Sequence, residues 1–178
     1  MISPKMFDAL NDQIKHEMES AYIYLSMVGY FHSRNLDGMA HWLRVQVHEE
    51  TIHGMKFFDH LTSRGAQPVL KDLKQLKTTW KTPLEPWKDA YAHEQFITGK
   101  IHNLLKIARK ENDYTAEPLL NWFVNEQIEE ENNTDKICRQ MAMIGTSKEG
   151  LYMLDRELAA RVYPAGSPFD PLAYNVAP

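Results

Sequence analysis

The chain has 178 residues, 43% of them hydrophobic and 25% charged, the proportions of one globular domain rather than of a disordered or fibrous protein. Its net charge of -4 gives no basic field to attract a phosphate backbone or an anionic lipid surface, so no nucleic-acid or membrane partner is expected. No apolar run approaches the ~18 to 20 residues that cross a bilayer, and MISPKMFDAL does not read as a signal segment, so a cytoplasmic location is expected. The lone Cys138 excludes an internal disulfide or a Cys-x-x-Cys metal site, so metal chemistry must use His and carboxylates.

The first helix is predicted from Ser3 as N-cap, with Pro4 in its first turn, to about Asn35. A second opens with Asp37 as cap and continues to Arg64, where Gly65 supplies a left-handed stop. Residues 66–82 read as a long connection bracketed by Pro68 and Pro83, leading to a third helix from Leu84 to about Lys110. A fourth follows Asn112 and Asp113, takes Pro118 into its first turns and ends at Ile144 before Gly145. A shorter fifth starts at a Thr146 to Glu149 capping box and stops near Tyr163, before Pro164. This divides the chain into a bundle domain over 1–163 and a tail over 164–178.

One inward stripe with alternating steps of three and four runs through each long helix. The first reads Phe7, Leu10, Ile14, Glu17, Ala21, Tyr24, Val28, Phe31, and the second Met39, Leu43, Gln46, Glu50, His53, Phe57. The third reads Leu84, Trp87, Tyr91, Glu94, Thr98, Ile101, Leu105, Ala108, and the fourth Ala116, Leu120, Phe123, Gln127, Glu130, Thr134, Ile137, Met141. Short connections make the first two helices, and the last two, antiparallel neighbours. A helix of ~28 residues is ~42 Å long, and ~17 extended residues reach ~56 Å. The long connection therefore spans the bundle and makes the second and third helices parallel: an all-α, up-down-down-up four-helix bundle with a short fifth helix.

Each stripe is apolar except near its middle, where Glu17, Glu50, His53, Glu94, Gln127 and Glu130 form one polar layer. Four carboxylates in a bundle core repel one another and lose solvation, so they must be protonated or balanced by cations. No Lys or Arg lies on these stripe segments, whereas two divalent ions balance four negative charges. The layout also fits di-metal bundles, in which two helices give one Glu each and two give ligands at i and i+3. The mostly carboxylate environment suits iron, and manganese or zinc fit as well. Glu49, Glu126 and Glu129, one position off the stripes, are either a solvated face or an outer metal position or exit path. Tyr24 is either a core tyrosine bonded to a ligand carboxylate or an electron source. The HEETIH segment fails as a zinc-protease motif because His48 and His53 are five apart, and no phosphate loop or serine elbow is present.

Glu17, Tyr24, HEETIH, Glu94 within HEQFITGKI, and EQIEEE from Glu126 to Glu131 together resemble a prokaryotic non-haem ferritin over residues 1–162. The resemblance implies ferroxidase activity, with iron(II) oxidised by dioxygen or hydrogen peroxide and ferric oxide stored in a hollow homo-oligomeric shell of 24 subunits. It implies a first iron held by Glu17, Glu50 and His53, and a second by Glu50, Glu94 and Glu130. Gln127 would be a hydrogen-bonding neighbour and Tyr24 a redox neighbour, with a third site at Glu49, Glu126, Glu129 and Glu130. Bacterioferritins carry a second Glu-x-x-His and a haem-ligand Met after the second-helix Glu; here Glu130 and Thr51 stand there, so no haem is expected. Rubrerythrins need a cysteine-rich module and mini-ferritins lack the fifth helix. The apolar Leu151, Leu154, Leu158 and Val162 of that helix are expected to face another subunit. Two other outcomes stay open: a di-iron oxidase or peroxidase that stores nothing, and a non-catalytic bundle whose metal only neutralises the buried acids.

Overall fold

Capping chemistry and chain-reversing residues set the helix limits. The computed structural model describes residues 2–163, so the predicted tail lies outside the described residues. The helices are α1 (Pro4–His32), α2 (Asp37–Ser63), α3 (Leu84–Lys110), α4 (Glu117–Ile144) and α5 (Lys148–Leu158). Ser3 Oγ accepts from the Met6 amide at 3.2 Å and starts α1. Asn35 in the left-handed region reverses the chain beyond its last turn, and Gly65 and Gly145, both at positive φ, do so after α2 and α4.

Several boundaries differ from the sequence reading: α1 ends at His32 instead of about Asn35, and α4 starts at Glu117 instead of directly after Asp113. Asp37 is the first helical residue of α2 and Leu36 its N-cap, while the Asp37 carboxylate hydrogen-bonds His32 Nδ1 at 2.7 Å. The cap of α5 is Ser147 instead of Thr146: its Oγ accepts from the Gly150 amide at 3.0 Å. That helix also ends at Leu158, short of Tyr163. The amides of Ala160 and Arg161 close three-residue turns onto Glu157 and Leu158, and Arg161 then reaches back to α2.

The antiparallel pairs α1–α2 and α3–α4 pack together, α1 also packs on α3, and α5 lies on α2 and α4. The long connection climbs α1. Val69 N donates to Asn11 Oδ1 at 2.6 Å and Lys74 N to Glu19 Oε1 at 3.2 Å. Ser26 Oγ donates to the Lys77 carbonyl at 2.8 Å, and Arg34 Nη2 to the Trp80 carbonyl at 3.3 Å. It therefore traverses the bundle length and delivers α3 parallel to α2, the predicted topology.

The core is two apolar clusters. One holds Phe31, Trp42, Leu43, Trp87, Ile137 and Met141; the other holds Leu10, Ile14, Phe57, Leu61, Ile101 and Phe123. The stripes of α2 and α4 are buried as read. On α3 the register is one residue off at three places: Ala90, Ile97 and Leu104 are buried, and Tyr91, Thr98 and Leu105 only half-buried. Both readings share Trp87, Glu94, Ile101 and Ala108, because two stripes of alternating threes and fours overlap at every second position.

The expectation for α5 is also corrected. Leu154 and Leu158 are buried in this chain's own core and Leu151 packs against it, so they do not need another subunit; Val162 is 82% exposed. The outward apolar residues on and after this helix are Tyr152, Met153 and Val162. Asp155 Oδ1 accepts from the Met39 amide at 2.8 Å, anchoring α5 to the unsatisfied N-terminal amides of α2.

Candidate metal centre

The polar stripe residues converge between the two apolar clusters. Glu17, Glu50, His53, Glu94, Gln127 and Glu130 are each no more than 3% exposed. Ligand atoms within 4.8 Å of one another form overlapping groups among the described residues: Glu17, Glu50 and His53; Glu50, Glu94 and Glu130; and His53, Glu126 and Glu130. Glu50 belongs to the first two and so stands between two positions. Each helix contributes because a candidate ligand sits near the midpoint of its buried face, and the i, i+3 spacing puts Glu50 and His53 side by side on α2.

A belt of hydrogen bonds holds these carboxylates. Gln13 Nε2 donates to Glu17 Oε1 at 2.7 Å. Gln46 Nε2 donates to Glu50 Oε1 at 2.9 Å and to Glu130 Oε2 at 2.8 Å. Gln127 Nε2 donates to Glu94 Oε2 at 3.2 Å, and the Tyr24 hydroxyl donates to Glu94 Oε1. The sequence reading left Gln13 unnoticed and placed Gln46 in a stripe without a role. A signal was present: on α1 and on α2 a glutamine stands four residues before the glutamate, so amide and carboxylate share a face.

Without metal, protons carry the charge balance. Burial and the neighbouring Glu50 push the carboxyls of Glu17 and Glu94 up to about 8. Burial, with Glu94 and Glu50 nearby, raises Glu130 well above the usual range. Glu50 alone is lowered: burial acts against its charge, but hydrogen bonds from His53 and Gln46 outweigh it. Burial likewise opposes charge on His53, yet its contacts with Glu126 and Glu50, each at 3.6 Å, raise it to about 11. The apo layer thus holds one buried ion pair and protonated neighbours, and a divalent ion must displace those protons.

The sign of the pH dependence follows. Glu17 and Glu94 have folded values above the ordinary ~4.3 of glutamate, so their contribution to stability is complete below that value and is lost as pH rises through about 8. His53 acts in the same direction up to about 11. Metal-free protein is expected to melt lower at about pH 9 than at about pH 6, and saturating Zn(II) to remove most of the difference, as read by scanning calorimetry. A metal-free melting temperature independent of pH would contradict this charge assignment.

The outer carboxylates are gathered only in part: Glu126 and Glu130 share a group with His53, and Glu49 and Glu129 belong to none of these groups. Glu126 lies against His53, Glu129 is exposed, and Glu49 Oε2 accepts from Arg161 Nη2 at 2.5 Å. Burial pushes the Glu49 carboxyl up in spite of that arginine. Trp122 packs edge-on to His53 at 5.6 Å between centroids, and His93 pairs with Ser20 at 2.7 Å without entering a ligand group.

Four long helices with one crossover define a ferritin-like bundle, and its central carboxylate–histidine layer is a candidate metal site. The Ferritin-like domain model matches residues 7–144. The chain is 37% identical over 163 residues to a bacterial non-heme ferritin of Staphylococcus haemolyticus, covering 92% of this chain and 98% of that one. It is 34% identical over 163 residues to one of Staphylococcus aureus, with the same coverage. Among solved structures, a humanized archaeal ferritin superposes with a TM-score of 0.90 at 42% identity, covering 92% of this chain and 99% of that one. An open-pore ferritin of the archaeon Archaeoglobus fulgidus superposes with a TM-score of 0.89 at 41% identity, covering 91% and 100%. The chain therefore belongs to the ferritin family.

Proposed function

We propose that the protein is an iron-storage ferroxidase: it oxidises iron(II) at paired positions in the bundle and holds the ferric product as a hydrated oxide inside a homo-oligomeric shell of 24 subunits. The observation that carries this reading is the sharing of Glu50 by two buried ligand groups drawn from all four long helices. Glu17, Glu50 and His53 bind the first iron, and Glu50, Glu94 and Glu130 the second. Gln127 orients Glu94, and Tyr24, whose hydroxyl donates to the same carboxylate, is placed to pass a proton during turnover. Each iron(II) loses one electron. Dioxygen takes two electrons and two protons to give hydrogen peroxide, or peroxide takes two of each to give water. Glu49, Glu126, Glu129 and Glu130 receive iron leaving the pair.

No haem enters this reading, since Thr51 follows Glu50 and offers no thioether. No described helix is long and apolar enough to cross a membrane; a cytoplasmic location is part of the proposal. Aerobic addition of iron(II) to the purified apoprotein is the test. Storage requires a large particle that takes up far more iron than its ligand groups can hold. Turnover without retained mineral would identify an oxidase or peroxidase, and neither oxidation nor uptake would leave a metal-neutralised bundle.

A further inference from the structure

Arg161 lies beyond the end of α5, off every long helix, yet its guanidinium reaches the edge of the metal centre. Nη2 donates to Glu49 Oε2 at 2.5 Å, and Nη1 to Gln46 Oε1 at 2.8 Å and to the Trp42 carbonyl at 3.2 Å. The guanidinium carbon stands 3.9 Å from the centroid of the Trp42 ring. His41 Nε2 donates to the Arg161 carbonyl at 2.7 Å and fixes its backbone.

Two consequences follow from this placement. With its oxygen accepting from Arg161, the buried Gln46 amide can present only its NH2 to Glu50 and Glu130. Glu49 meanwhile already has a counter-ion. A divalent ion arriving there must break a charge-assisted hydrogen bond and sit close to a fixed positive charge, a repulsion that partial burial leaves poorly screened. The other outer carboxylates beside the pair, Glu126 and Glu130, already form a ligand group with His53 that does not include Glu49.

We propose that Arg161 is a positioning residue for the outer carboxylates: it reserves Glu49 and orients Gln46, so an outer metal position that uses Glu49 forms only when Arg161 withdraws. The attachment makes withdrawal a movement of the segment after α5 rather than of the bundle. This inference rests on the assignment of paired metal positions above.

The test is anaerobic calorimetric titration of the apo assembly with Zn(II), which binds without redox chemistry. Arg161→Gln keeps a stem over Trp42 but removes the charge, and is expected to take up one further equivalent per subunit than wild type. Arg161→Lys restores charge and should match wild type. Adding Glu49→Gln to Arg161→Gln should abolish the extra equivalent, which a general loosening of the fold would not predict. Arg161→Met is a second neutral variant with the same expectation if the glutamine variant does not assemble. No extra equivalent in either neutral variant overturns the proposal while leaving the paired positions standing, and so does a wild type whose uptake falls by one equivalent in Glu49→Gln. A wild type that fills no paired positions overturns the ferroxidase reading and this inference with it.

Discussion

Glu50→Ala is expected to slow the rapid phase of aerobic iron(II) oxidation by ~100-fold or more, with the helical circular dichroism of the metal-free protein unchanged. Loss of a single partner behind a metal ligand already costs ~10 to 100-fold, and Glu50 is the one side chain common to both proposed iron groups. The fold survives because the layer can rebalance. Without the Glu50 carboxylate, His53 loses the acceptor beside Nδ1 and keeps only Glu126, so it can become neutral, a form an interior tolerates. The Gln46 amide still reaches Glu130. Stopped-flow absorbance at the ferric charge-transfer band reads the rate. Glu126→Ala, which removes a carboxylate outside both paired groups, should retain most of it. A wild-type rate in Glu50→Ala would refute the shared-ligand assignment.

Gly38→Ala should detach α5 from the bundle. A β-carbon at position 38 would lie 1.7 Å from the Asp155 carbonyl oxygen and 2.6 Å from its carbon. Both are backbone atoms, so relief requires the whole of α5 to move. Moving it breaks the Asp155 bond to the Met39 amide and exposes Leu154 and Leu158, each worth ~1.5 to 3 kcal/mol of burial. The expected result is a lower melting temperature and a four-helix bundle that remains folded. Gly29→Ala is the control: it is also helical, but nothing lies within 4 Å of its added carbon, so helix propensity alone should stabilise it by ~0.5 to 1 kcal/mol. Equal stability in the two variants would mean that the α2–α5 contact is looser than described.

The two predictions probe parts of the molecule that differed in legibility. The four long helices and their crossover could be read because Ser3, Gly65 and Gly145 act through local backbone geometry, and because a loop of known length can reach only so far. The buried faces of α2 and α4 were legible from spacing alone. On α3 the same spacing admits two faces, and packing against α1 and α4 chose the one with Ala90, Ile97 and Leu104. The length of α5 was misread because Pro164 marks only where a helix must have ended, not where tertiary contacts first draw the chain away.

For the site, helical periodicity put each acid on the inward face of its own helix, and its place near the middle of helices of similar length put the acids at one level once those helices pack side by side. Only the tertiary structure decided which of them carries charge, because the proton balance among Glu17, Glu50, Glu94 and Glu130 depends on distances to His53 and on which amide faces which oxygen. It alone also brought Arg161 to Glu49, 112 positions apart in the chain. Periodicity describes one helix at a time, whereas contacts between distant segments depend on how the helices and the chain end fold back together.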